Sequence, residues 1–175
     1  MTSSDDLFVF YDTETTGLDI NFSQIIQIGS VLTDSNFKIL DELNLSSQVL
    51  PWVVPSPDAF LVHKQTACLE NGLSHFEMMR TLREKWLSWG KEKNLIFVSY
   101  NGHRFDEELV RRQFYWNLFD PYITNTNGNR RLDLMSLFQI IGNFFDSKIK
   151  VPKDDEENIS LKLTDLAKEN NISVE

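Results

Sequence analysis

An unbroken apolar run, Leu7 to Tyr11, leads directly into the polar motif Asp12-Thr13-Glu14. A run of this kind is typical of a strand buried on both faces, and residues two apart on a strand point to the same side. Asp12 and Glu14 are therefore predicted to project together from the strand end, where they would offer the oxygen ligands that Mg²⁺ or Mn²⁺ prefers. The alternative, two ordinary polar residues, is disfavoured because an unpaired charge beside a buried strand is costly.

The chain that follows predicts more strands of the same sheet. Two β-rich runs, 24–32 and 37–45, have a turn signal between them at 34–36, so the first three strands are expected to form an antiparallel meander. A compact apolar run over 95–100 predicts a further strand. The sequence thus indicates an α/β fold with a mixed sheet flanked by helices, in which ligand sites lie beyond strand ends.

Helices are predicted between and after these strands. Ser74 and Glu77 form a capping-box pattern, and Asp133 and Ser160 are further helix caps. The predicted helices cover 74–87, 105–118, 133–145 and 160–168. The proline-rich segment 51–57 and the Asn- and Gly-rich segment 125–129, with the arginines that follow it, are predicted loops.

A second polar motif, Asn101 to Asp106, follows the predicted strand over 95–100. Asp106 comes near the start of the next helix, where the helix dipole favours a carboxylate. Alone it would be an ordinary helix acid, but beside Asp12 and Glu14 a third metal-site carboxylate is the better interpretation. Gly17, which closes the first motif, allows the chain to turn away and a substrate backbone to approach.

These two motifs resemble those of a known enzyme superfamily. Asp12-x-Glu14 and Asn101…Phe105-Asp106 are similar to the first two motifs of the DEDD exonucleases, to which polymerase proofreading subunits belong. The stretch from Arg104 to Tyr122 is more particular and resembles bacterial exonuclease I, which digests single-stranded DNA. The segments 131–134 and 160–163 resemble the same family. The similarity extends over residues 7–172 and implies a ribonuclease H-like fold.

The resemblance also implies two-metal chemistry at a 3′ end. Asp12 would bridge two Mg²⁺ or Mn²⁺ ions, Glu14 would hold the ion that carries the attacking water, and Asp106 would act on the second ion. The product would be a nucleoside 5′-monophosphate cut from single-stranded DNA. The residues implied to contact this substrate are Thr15, Thr16, Gly17, Leu18, His63, Asn101, His103, Phe105 and Arg131.

The family also uses a histidine general base and, five positions later, a final aspartate ligand. None of the three histidines has an aspartate five positions later: His63 is followed by Cys68 and His75 by Arg80. His103 is followed by an acid, Glu108, but His103 itself lies in the second motif. His75 is expected to be solvated. We therefore expect residues 1–175 to form a single exonuclease domain that stops before the third motif. Such a domain would be catalytically incomplete alone, with further domains of a longer chain as partners.

Composition constrains the remaining function classes. The net charge of −9 counts against a broad basic surface for nucleic acid. Cys68 is the single cysteine, which excludes an intrachain disulfide. The first basic residue is Lys38, and no apolar run approaches the roughly eighteen residues of a membrane span. A soluble, cytoplasmic protein without a membrane partner is expected.

Aromatic residues beyond the two motifs have two interpretations. Trp86 and Trp89 share a predicted helix and are expected to lie in the core. Phe114, Tyr115 and Trp116, close to Arg111-Arg112, are the nearest candidate for a base-stacking platform, which needs exposed rings beside a basic groove. An amphipathic helix with a solvated basic edge is the alternative for the second set.

Two other functions stay open. Thr13, Thr15 and Thr16 follow the superfamily in general rather than exonuclease I, so an oligoribonuclease-like enzyme acting on short RNA is one alternative. A degenerate, non-catalytic module that binds nucleic acid or protein is the other, because the third motif is missing. Retention of three carboxylates that would repel phosphate argues against the module.

Overall fold

The computed structural model describes residues 6–63, 72–145, 148–153, 156 and 158–173. Residues 1–132 form one compact unit and residues 133–175 a second one. Cys68 lies outside the described residues. No helix in the described part of the chain is long and apolar enough to cross a membrane.

A five-stranded mixed sheet with the order β3-β2-β1-β4-β5 organises the fold. The strands are β1 (Leu7–Thr15), β2 (Ile25–Thr33), β3 (Ile39–Ser46), β4 (Leu95–Ser99) and β5 (Arg130–Asp133). β2 pairs antiparallel with both β1 and β3, which confirms the predicted meander. β4 lies parallel to β1 on its other side, so the sheet is mixed, as the sequence predicts.

The helices of the first unit are α1 (Pro57–His63), α2 (His75–Trp89) and α3 (Asp106–Trp116). The capping box is confirmed, because the Ser74 hydroxyl accepts a hydrogen bond from the Glu77 backbone N–H and the Glu77 carboxylate accepts one from that of Ser74. Short 3₁₀ turns cover Gly102–Arg104 and Ile123–Asn125.

The core of the first unit lies on one face of the sheet. Alternate residues of β1, including Val9 and Tyr11, are buried on this face. Trp86 is fully buried against them, with its ring 5.5 Å from that of Tyr11 and 4.9 Å from that of Phe97. Its indole N–H donates to the Ser30 hydroxyl at 3.2 Å, which satisfies the one polar atom of this ring. Trp89 is also buried, so the prediction that both tryptophans are core residues is confirmed.

The second unit carries α4 (Leu134–Phe144) and α5 (Leu163–Glu169). The Asp133 carboxylate accepts from the backbone N–H groups of the first turn of α4, as predicted. α5 begins later than expected, with Lys162 as its N-cap, because the Ser160 hydroxyl donates to the Asp165 carboxylate at 2.6 Å instead of capping the helix backbone.

The loop predicted over 51–57 is confirmed up to residue 56, and Pro57 begins α1, since proline suits the first helical position, where its missing N–H is not needed. Two other predictions are wrong. Arg130 and Arg131 lie in β5 rather than in a loop, because the strand is completed by pairing with distant chain segments. His75 is buried rather than solvated, since the first turn of α2 packs against Gln24.

Candidate metal and substrate site

The first motif lies inside β1. Asp12 is paired with Gly29 of β2 and Glu14 with Gln27, and both carboxylates lie on the face opposite to the buried Tyr11 and Thr13. The pairing of β1 with β4 ends at Phe10, so the motif extends past its parallel neighbour. A Cβ built on Gly29 would meet no atom within 4 Å, so the sheet surface beside Asp12 has room for a ligand.

Asp106, the first residue of α3, is the buried carboxylate of this site. The Thr13 hydroxyl donates to its Oδ1, which holds α3 against β1. Burial, helped by the negative charge of Asp12, raises the pKa of Asp106 to about 6, against the lowering effect of the Thr13 hydrogen bond. Partial burial of its carboxylate also raises the pKa of Asp12 above its usual value. Both raised pKa values mean that two neighbouring carboxylate anions are unfavourable here, and a bound cation would stabilise the ionised form of both groups.

Gly102 permits the close approach of the second motif to β4. A Cβ on Gly102 would lie 2.5 Å from Ser99 Oγ and 3.1 Å from Asp106 Oδ2. The preceding residue, Asn101, has the left-handed φ of 59°, which asparagine tolerates better than most side chains. The Asn-Gly pair is thus explained by the turn that delivers Asp106 to the site.

The segment after Glu14 is fixed by backbone hydrogen bonds. The Thr16 backbone N–H donates to the Gln24 carbonyl at 2.9 Å, and its hydroxyl accepts from the Gln24 N–H. Thr15 donates its hydroxyl proton to the Gly17 carbonyl, and a Cβ on Gly17 would lie 3.1 Å from Ser23 Oγ. The glycine is therefore needed for close packing against its own chain. Leu18, in contrast, is 86% exposed and could contact a base.

The other residues predicted to bind substrate lie in different surroundings. Asn101 and His103 are exposed residues of the second motif. Phe105 is half-buried and packs against the core. His63 ends α1, and its side chain lies outside the described part of the structure.

Arg131 belongs to a buried network that sequence reasoning missed. Its Nη1 donates to Glu107 Oε1 at 3.2 Å, and Glu107 is fully buried. The Tyr11 hydroxyl donates to the same carboxylate at 2.9 Å and the Thr124 hydroxyl at 2.5 Å. Glu107 follows Asp106 on the first turn of α3, where an acid is ordinary, so only the fold could assign its role.

The structure brings Asp12 and Asp106 into electrostatic contact and places Glu14 on the same strand face as Asp12. Within the described residues, no set of three His, Cys, Asp or Glu side chains is close enough to hold a metal ion as it stands. The donor chemistry fits Mg²⁺ or Mn²⁺, since all three groups are hard carboxylates. The three ligand roles stay predictions.

The raised pKa of Asp106 predicts a pH-dependent stability in the absence of metal. The folded chain keeps the Asp106 carboxyl protonated up to about pH 6, whereas the unfolded chain loses this proton near the ordinary pKa of 3.8. The stabilisation that comes from binding this proton is therefore complete below pH 3.8 and is lost as the pH rises through 6. Relative to Asp106→Asn, the free energy of unfolding of the wild type should fall by up to roughly 3 kcal/mol across this window. Urea unfolding in EDTA at several pH values measures the difference, and parallel curves for the two proteins would contradict it.

Comparisons with known proteins bear on this site. The sequence profile of the RNase T exonuclease family matches residues 9–172. Exodeoxyribonuclease I of Buchnera aphidicola from Acyrthosiphon pisum is 31% identical over 173 residues, which cover 94% of this chain and 40% of that protein. An oligoribonuclease of Francisella tularensis is 32% identical over 85 residues, which cover 49% of this chain and 42% of that protein.

Solved structures agree with the fold. The crystal structure of Escherichia coli exonuclease I in complex with a dA16 oligonucleotide superimposes with a TM-score of 0.86 and 25% identity, and covers 97% of this chain and 37% of that one. The predicted ribonuclease H-like fold is confirmed by this likeness. The chain spans 34% to 40% of the length of the first Buchnera relatives that it matches.

Proposed function

The chain belongs to the RNase T exonuclease family, and on this premise we propose that it is a metal-dependent 3′→5′ exonuclease that cuts nucleoside 5′-monophosphates from single-stranded DNA. The observation that carries the proposal is the position of Asp12 and Asp106. These carboxylates come from two distant parts of the chain and lie together just beyond the point where β1 and β4 stop pairing. Crevices at the carboxyl ends of parallel strands are the usual ligand sites of such sheets.

Asp12, Glu14 and Asp106 would hold divalent cations, which supply charge stabilisation and an activated water for an in-line displacement at phosphorus. Thr13 positions Asp106 through its hydroxyl. Gly17 and the fixed backbone around Thr16 would form the wall against which the 3′-terminal nucleotide lies. The exposed Leu18 would contact its base.

DNA is favoured over RNA by the extent of the similarity. The exodeoxyribonuclease I relatives match 94% to 96% of this chain, whereas the oligoribonuclease matches 49%. The oligoribonuclease match nevertheless supports short RNA as the second candidate substrate. A cytoplasmic location, expected from the sequence, stays a prediction.

The experiment that tests this function uses DNA and RNA strands of one sequence, labelled at the 5′ end, with Mg²⁺ or Mn²⁺. For a chain that also supplies the histidine and aspartate of the third motif, stepwise shortening from the 3′ end, faster on DNA, is the expected result. Faster shortening of RNA would support the second candidate instead. A calorimetric titration of the chain with Mn²⁺ is a readout that does not need turnover. Oligonucleotide binding without either metal binding or cleavage would support the non-catalytic module.

A further inference from the structure

A cleft of about 590 Å³ opens in the first unit between residues 50–52, the start of α2 and the end of α3. Three large aromatic side chains line it, and all three are exposed: Trp52 by 74%, Phe76 by 48% and Trp116 by 41%. The Arg80 guanidinium lies 6.0 Å from the centre of the Phe76 ring and brings positive charge to this wall. Exposed aromatic surface gathered around one concavity is typical of a binding site.

His75 also lines the cleft, and its imidazole is 5% exposed. Its Nε2 atom has no hydrogen-bond partner among the described residues. The other ring nitrogen, Nδ1, lies 3.4 Å from the side-chain Nε2 of Gln24. The amide orientation of Gln24 is set because its Oε1 accepts from the Leu50 backbone N–H at 2.8 Å.

The side-chain nitrogen of Gln24 has two protons, and it donates them to the Gln48 carbonyl at 2.8 Å and to Ser47 Oγ at 3.1 Å. Its longer contact with Nδ1 therefore does not fix the tautomer of His75, and Nε2 is a donor in one tautomer and an acceptor in the other. Burial lowers the pKa of His75 to about 4, so the ring is neutral at neutral pH. The cleft thus combines exposed aromatic rings with one buried imidazole nitrogen that has no partner among the described residues. The edge of a ligand that carries both donors and acceptors would satisfy it.

Resting on the proposed function, we propose that this cleft is a subsite for a nucleobase of the bound single strand, upstream of the 3′-terminal nucleotide. A base is flat, stacks on aromatic rings and carries hydrogen-bond acceptors on its edge, which matches both features of the cleft. A phosphate, in contrast, cannot stack on the aromatic rings.

One buried residue, Gln24, lies between the cleft and the proposed 3′-end site. The Gln24 backbone N–H donates to the Thr16 hydroxyl, and the Gln24 side chain contacts Leu50 and His75 in the cleft. A strand whose 3′ nucleotide lies at Thr16 would therefore have the cleft close to a nucleotide further upstream.

The test compares binding of oligothymidylates of eight and of two nucleotides, labelled with a fluorophore and measured by anisotropy with Ca²⁺ in place of Mg²⁺. Trp52→Ala and Trp116→Ala should each weaken binding of the eight-mer by about 5- to 100-fold, the range expected for a lost base–aromatic stack. Binding of the two-mer, which reports the 3′-end site alone, should be unchanged. Trp52→Phe should retain most of the affinity. Phe37→Ala, which removes an exposed ring from the β2–β3 turn, should have no effect.

His75→Leu adds a second readout. Removal of an imidazole whose Nε2 has no partner should leave the melting temperature unchanged or higher, because the Gln24 amide keeps its other hydrogen bonds. The same change should weaken binding of the eight-mer severalfold. Equal affinities of all variants for the eight-mer, in a wild type that binds both lengths, would overturn the subsite and leave the proposed function standing. A wild type that binds neither length would contradict the proposed function, and the subsite with it. Trp52-dependent binding of an aromatic peptide, without an effect on the eight-mer, would overturn the subsite in favour of a protein-docking cleft.

Discussion

Replacement of Asp12 by asparagine is expected to slow the shortening of single-stranded DNA by roughly 10³-fold. A catalytic metal supplies several kcal/mol of transition-state stabilisation, and each ~1.4 kcal/mol is tenfold in rate. Asparagine keeps the shape of Asp12 but removes the charge that a hard cation needs. The rate is measured on 5′-labelled strands under saturating Mg²⁺ or Mn²⁺, and the Mn²⁺ affinity is measured by calorimetry.

Asp34→Asn is the matched control for this variant. It removes the same charge from the β2–β3 turn, where the remaining side-chain oxygen can still accept from the backbone N–H groups of Asn36 and Lys38. Its rate and its Mn²⁺ affinity should equal those of the wild type. An Asp12→Asn protein with wild-type rate and Mn²⁺ affinity would show that the metal does not bind at β1.

Arg131→Ala is expected to lower the free energy of unfolding by about 3 kcal/mol, because it leaves the carboxylate of Glu107 buried without its cation. Glu107 keeps the hydroxyls of Tyr11 and Thr124 as donors, but neither of them carries a positive charge. Urea unfolding at neutral pH measures the change.

Two variants separate this role from the phosphate contact that the sequence predicts for Arg131. The double variant Glu107→Gln with Arg131→Ala should recover much of the stability, since a buried amide costs less than a buried charge. Arg104→Ala, at an exposed arginine, should change the stability by less than about 0.5 kcal/mol. An Arg131→Ala protein with wild-type stability and weakened DNA binding would contradict the structural role.

The parts of the fold that sequence predicts well are those encoded locally. The meander follows from apolar runs and a turn between neighbouring strands. The start of α2 follows from a capping box four residues long. β5 could not be predicted in this way. Its first two residues are exposed arginines, and the strand conformation of this short segment depends on its position at the edge of the sheet beside β4.

In the candidate site, too, the features encoded locally can be predicted and the contacts between distant residues cannot. The shared face of Asp12 and Glu14 follows from the two-residue period of a strand. The bond from Thr13 to Asp106 joins residues 93 positions apart, and the bond from Tyr11 to Glu107 joins residues 96 apart. No local pattern encodes such pairs. His75 was expected in solvent because a polar residue on a first helical turn usually lies there, whereas Gln24 fixes it inside.

The parallel pairing of β1 with β4, which aligns Leu7 with Leu95, also has a kinetic consequence. β1 can form a hairpin with β2 early, because little chain entropy is lost in closing a short loop. Its pairing with β4 must first close a far longer loop, and contacts of this range form slowly. We therefore expect Asp12 and Asp106 to become neighbours only late in folding, so a partly folded chain that already contains the meander would lack the proposed metal site.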